Sequence, residues 1–231
     1  MELIFKHKLK ALFIIGFFAQ VSPLILFFLF FKRISKIVEL RVIFLYVLTS
    51  LIFNFLLGAF QSKASSIIGI FAIIEYSFFS TFFYLCIRNE KFKKLILIVF
   101  AISLGVELLL FYSPKVNIGF WTPLIVAILI VIYSVFFFYE EVNSPKTLFI
   151  YQSYNFWIVV GCIIYVSGTL FLFLYTSDIQ DKQKNSLWSI NIVFEIVKNI
   201  FFSIAFIVAR NNKQNTIEQD SYDTNMFEKP F

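Results

Sequence analysis

The sequence predicts an all-α fold: a polytopic membrane protein made of a bundle of seven transmembrane helices, with the N-terminus outside and the C-terminus cytoplasmic. Three observations predict it. Hydrophobic residues fill 60% of the 231 positions, against ~45–50% in a soluble domain. They fall in blocks long enough to cross a bilayer core, which takes about 20 helical residues. The blocks are joined by short connections that carry clustered Lys and Arg, as cytoplasmic loops do. Two regions follow, a seven-helix transmembrane domain over 1–210 and a disordered polar cytoplasmic tail over 211–231.

The first span is read as Ala11–Phe31. Lys6, Lys8 and Lys10 precede it, as in the charged region of a secretory signal. The apolar run exceeds the roughly 7–15 residues of a signal core, and no small-x-small cleavage site follows it, so it is expected to stay in the membrane. The second span is Val42–Phe60 and the third Ser65–Ile87, the latter followed by the basic loop "RNEKFKK". The fourth, Leu95–Tyr112, is the shortest. The fifth, Phe120–Phe138, leads into "EEVNSPK", and the sixth, Tyr154–Tyr175, into "SDIQDKQKNS". The seventh, Leu187–Ala209, is the most polar. The tail beyond it has almost no apolar period, which favours disorder. Trp121, Trp157 and Trp188 each stand near a span end, where indole prefers the interface.

Orientation follows from charge. With the N-terminus outside, most of the 20 Lys and Arg lie on inner segments. The three N-terminal lysines argue the other way. The net charge of +6 then suits topology and anionic headgroups. Nucleic acid is not an expected partner, because the basic residues are scattered over short loops. The expected location is a cell membrane crossed several times, the cytoplasmic membrane if the source is bacterial.

Several chemistries are excluded. His7 is the only histidine and lies outside the spans, so His-ligated metal sites are not expected. No GxSxG elbow or P-loop occurs, and no cofactor is expected. Cys86 and Cys162 sit in different spans and read as buried small hydrophobes. A lysine in the seventh span is a feature of retinal proteins, but "IIEYSFFSTFFYL" in the third lacks their Arg and Asp-Trp pattern. Nor does the chain carry the Pro-Gln pairs of PQ-loop sugar transporters.

What remains is polarity at depth. "FEIVKNIFFSIAF" places Glu195, Lys198 and Asn199 on one helix face, by their i, i+3 and i, i+4 spacing. An ionisable group at mid-span costs about 2.5–3.5 kcal/mol on insertion scales, so it faces the bundle interior and pairs. Glu75 in the third span lies at nearly the depth of Lys198, and Asn54 and Glu107 lie at nearly that of Glu195. These six residues form the candidate ligand or ion site. Interhelical glue is the competing role for the same residues. Gln20 is polar too, but the sequence does not assign its face.

The favoured function is a non-enzymatic sensory or accessory component that couples this polar intramembrane site to a cytoplasmic, membrane-associated signalling protein. A small ion- or proton-coupled transporter is the alternative. A membrane lipid enzyme using paired Glu as acid and base stands third.

Overall fold

The computed structural model describes residues 2–113, 117–143, 149–176 and 189–211. Among these residues seven helices are long and apolar enough to cross a membrane, and no strand occurs. They are Glu2–Leu29, Val38–Ala59, Ala64–Cys86, Glu90–Tyr112, Ile118–Asn143, Tyr154–Thr176 and Ser189–Asn211, here the first to the seventh span. Hydrocarbon offers backbone groups no partner, and a helix satisfies its N–H and C=O groups within the segment. Phe18, Phe28 and Leu109 accordingly stay exposed on the outer faces, where lipid is the matching solvent.

Several boundaries differ from the sequence reading: the first helix runs from Glu2 to Leu29, the second begins at Val38, and three others follow. The fourth span begins at Glu90, five residues before Leu95, because the Asn89 side chain caps it by accepting the Lys91 N–H at 2.9 Å. Lys93 and Glu90 then pair at 3.1 Å across one turn, so the basic run is helix and not loop. The fifth span continues past Phe138 to Asn143. The cause is Glu140, whose carboxylate accepts the Arg88 N–H at 2.9 Å and the Asn89 N–H at 2.8 Å. Those are donors exposed where the third span ends. The seventh span reaches Asn211, which therefore belongs to the helix and not to the tail. The rest of the tail, Trp188 and the "SDIQDKQKNS" loop lie outside the described residues.

The third span is central. It packs against the second, fourth and fifth, and the fifth packs in turn on the sixth. Its buried positions, among them Gly69, Ala72, Tyr76, Phe79 and Phe83, recur at the three-to-four spacing of a helix face. The seventh span closes against the first, second and sixth. Phe206 meets Phe27 edge-on at 5.8 Å, and Phe201 stacks on Trp157 at 5.8 Å. The sixth span admits it closely at two glycines. A Cβ on Gly161 would come within 2.9 Å of Phe201, and one on Gly168 would run into the Phe194 ring. Small residues on that face thus set the interhelical distance.

Candidate functional site

Lys198 is 1% exposed in the middle of the seventh span. An ammonium there needs compensation from its neighbours. Its Nζ donates to the Tyr46 hydroxyl at 2.6 Å, and that hydroxyl donates to Glu75 Oε1 at 2.6 Å. The same Nζ stands 3.7 Å from the centroid of the Tyr165 ring, within cation–π range. One charge pair is thus completed through a tyrosine, with spans two, three, six and seven contributing one residue each. The helical axis sets this up: Tyr46, Glu75 and Lys198 are each near mid-span, so antiparallel and parallel neighbours bring them to one level.

A second arm begins at Glu195, one turn away. Its Oε1 accepts from Asn54 Nδ2 at 3.3 Å, and Asn54 Nδ2 also reaches Gln20 Oε1 at 3.0 Å. Gln20 Nε2 donates to Ser50 Oγ at 2.9 Å. Asn199 is buried, but its Nδ2 donates to the Glu195 carbonyl of its own helix at 2.9 Å. It steadies the helix and does not close the charged network. Ser203 Oγ donates to the Asn199 carbonyl and meets Ser22 Oγ at 2.8 Å, which fastens the seventh span to the first.

Of the six sequence candidates, Glu75 and Lys198 belong to the first arm, and Asn54 and Glu195 to the second. Glu107 belongs to neither. It is fully buried on the fourth span, and neither carboxylate oxygen has a hydrogen-bond partner among the described residues. The depth expected for it is compatible with the network, but the fourth span packs on the third and fifth, which turns Glu107 away. Sequence reasoning missed Tyr46 and Tyr165, which count as apolar in a Phe-rich chain, and left Gln20 unassigned.

Between the arms lies a cavity of about 750 Å³. Glu75 and Tyr165 line its deep end, and Gln20, Asn54 and Glu195 its flank. Phe13, Gly58, Ala64 and Phe173 line it near the helix ends on the side where the first span begins. The volume falls in the 300–1,000 Å³ range typical of small-molecule pockets.

Other chemistry is sparse. Among the described residues no group of three or more His, Cys, Asp or Glu is placed to hold a metal ion. Cys86 and Cys162 are buried thiols and form no disulfide. On the opposite face of the bundle, Arg88 Nη2 lies 3.5 Å from Glu141 Oε2, beside the Glu140 cap. Comparison with family models, curated proteins and solved structures returns no match.

Proposed function

We propose that this chain is a non-enzymatic sensory or accessory membrane protein. In this reading the N-terminus is outside, and the cavity opens to the outside between the helix ends lined by Gly58 and Ala64. Occupancy of the cavity is relayed to a cytoplasmic signalling protein. The observation that carries the reading is the Lys198–Tyr46–Glu75 chain at the cavity's deep end, with 2.6 Å at both links. It ties three helices to one buried hydroxyl, so a ligand that perturbs Glu75 biases the relative position of all three. The relay ends on the other face, where Arg88 and the Glu140 carboxylate join the third, fourth and fifth spans.

Protonatable groups in contact also favour the transporter alternative, since a Lys–Tyr–Glu chain is a proton relay in form. The helices through Glu75 and Lys198 are unbroken, however, whereas transporter sites are typically built at discontinuous helices.

The test is purification in mild detergent. A cytoplasmic protein is expected to accompany the chain in fixed stoichiometry. The charge-neutral variant Lys198→Met/Glu75→Gln, checked for its thermal transition, should lose that partner or its regulation. Partner retention and regulation at the wild-type level would sink the coupling. Proton flux into liposomes that Glu75→Gln abolishes would establish the transporter in its place.

A further inference from the structure

We propose that the cavity binds a small amphiphilic cation, an ammonium-type head carried on an apolar body. The inference deepens the sensory reading and rests on it only for its biological meaning. Three features converge.

The first is charge. Lys198 is engaged by Tyr46 and Tyr165 and is compensated through Tyr46 by Glu75. Glu195 has no such partner. Among the described residues its carboxylate meets one neutral amide, Asn54 at 3.3 Å, and forms no ion pair. With both carboxylates ionised, one ammonium leaves the site one positive charge short. A ligand that supplies it meets a charge-assisted hydrogen bond in a medium of low dielectric.

The second is the wall. Phe13, Phe17, Phe55, Phe71 and Phe173 line the same cavity as Glu195 and Glu75. Phenyl faces accept an organic cation and its hydrocarbon alike. They carry no ligand oxygens themselves, so they select for the apolar body of the ligand and leave its charged head to Glu195. An anion would meet two carboxylates and no free ammonium.

The third is access. Gly58 lines the cavity near the end of the second span, and a Cβ placed on it meets nothing within 4 Å. This position is taken as the point of entry for an elongated body, with its head toward Glu195.

The test uses full-length protein in nanodiscs of zwitterionic lipid, with empty nanodiscs as the control for partitioning. The probes are phenylbutylammonium, phenylbutanol and phenylbutanoate, which share one body and differ in head charge. Calorimetry should show the ammonium binding at least about tenfold more tightly than the other two, as expected of a charge-assisted contact. Glu195→Gln, checked by its unliganded Tm, should weaken the ammonium about tenfold and leave phenylbutanol unchanged. Gly58→Phe, which has room to fold, should abolish all saturable binding. Equal binding of the three heads, an unchanged ammonium affinity in Glu195→Gln, binding that survives Gly58→Phe, or no saturable binding of the ammonium would each overturn the proposal. Binding is read on the isolated chain, so its failure leaves the coupling to a partner standing. Loss of the coupling likewise leaves the ligand site standing.

Discussion

Lys198 reaches Glu75 through a single oxygen: the Tyr46 hydroxyl lies 2.6 Å from the Lys198 Nζ and 2.6 Å from Glu75 Oε1. Tyr46 is fully buried and makes both bonds inside the bundle. The chain is satisfied only as a whole, and partial removal should cost more than complete removal.

Tyr46→Phe tests this most directly. It deletes one oxygen, keeps the ring, and leaves an ammonium and a carboxylate buried without their shared partner. A loss on the order of 3–5 kcal/mol is expected for breaking a buried pair. Lys198→Met should fall in the same range. Adding Glu75→Gln to it should recover part of the loss, with a coupling of about 0.5–3 kcal/mol. Detergent-solubilised thermal unfolding of the four corners measures this, and strict additivity would remove the chain from the energetics. Glu195→Gln should compensate Lys198→Met less, because Glu195 bonds Asn54 and not the lysine.

A second prediction concerns the other face. Glu140 accepts two backbone N–H groups, from Arg88 and Asn89, where the third span ends and the fourth begins. Glu140→Ala leaves those donors without their acceptor, at about 1–3 kcal/mol for buried groups and less where water enters. Glu140→Gln keeps one acceptor oxygen and should recover part of the loss. Hydrogen exchange at Arg88 and Asn89 should speed up in the alanine variant. Unchanged exchange would show that the cap is not formed in the membrane.

How far the sequence reaches can be seen in these same residues. The seven spans are legible because lipid demands long apolar runs, and position along the membrane normal follows from counting residues. Rotation about each helix axis is not legible that way. Counting puts Glu75 at the level of Lys198 and Glu107 at that of Glu195, yet one joins Lys198 through Tyr46 and the other faces the third and fifth spans without a hydrogen-bond partner among the described residues. Tyr46 was hidden because its ring counts as apolar and only its oxygen acts. The early start at Glu90 was hidden because a charged run reads as loop until the Asn89 cap is considered.

Glycine substitutions should separate tight from open helix surfaces. A Cβ on Gly119 would lie 2.6 Å from the Ser65 carbonyl oxygen, which is backbone and cannot rotate away. Gly119→Ala should therefore cost about 1–3 kcal/mol as the fifth span is pushed from the third. Gly105 meets nothing within 4 Å, and Gly105→Ala should gain about 0.4–1 kcal/mol through a less flexible unfolded chain. Equal effects at the two sites would mean that the third and fifth spans are not in close contact at Ser65.

Topology is testable separately from packing. A reporter active only in the cytoplasm, fused after Asn211, should be active, and an export-dependent one should be silent, because the "RNEKFKK" run and the end of the seventh span carry positive charge. The opposite pattern would put the cavity mouth inside.

The last prediction sets two buried glutamates against each other. Glu75 has the Tyr46 hydroxyl at 2.6 Å and, through it, an ammonium. Glu107 is 0% exposed, and neither of its oxygens has a hydrogen-bond partner among the described residues. A buried polar group without a hydrogen bond costs about 1–3 kcal/mol on protein scales. Glu107→Met replaces it by an apolar chain of similar length and should stabilise the protein by about that amount. Glu75→Met should do the opposite, because it strands Lys198. Thermal transitions of the two variants in one detergent make the comparison, and the expected signs differ. If Glu107→Met destabilises as Glu75→Met does, the Glu107 carboxyl has a partner in the membrane, and its isolation on the fourth span is wrong. If it stabilises the fold but disturbs regulation of a partner, the uncompensated carboxyl is kept for function, as unsatisfied buried groups often are.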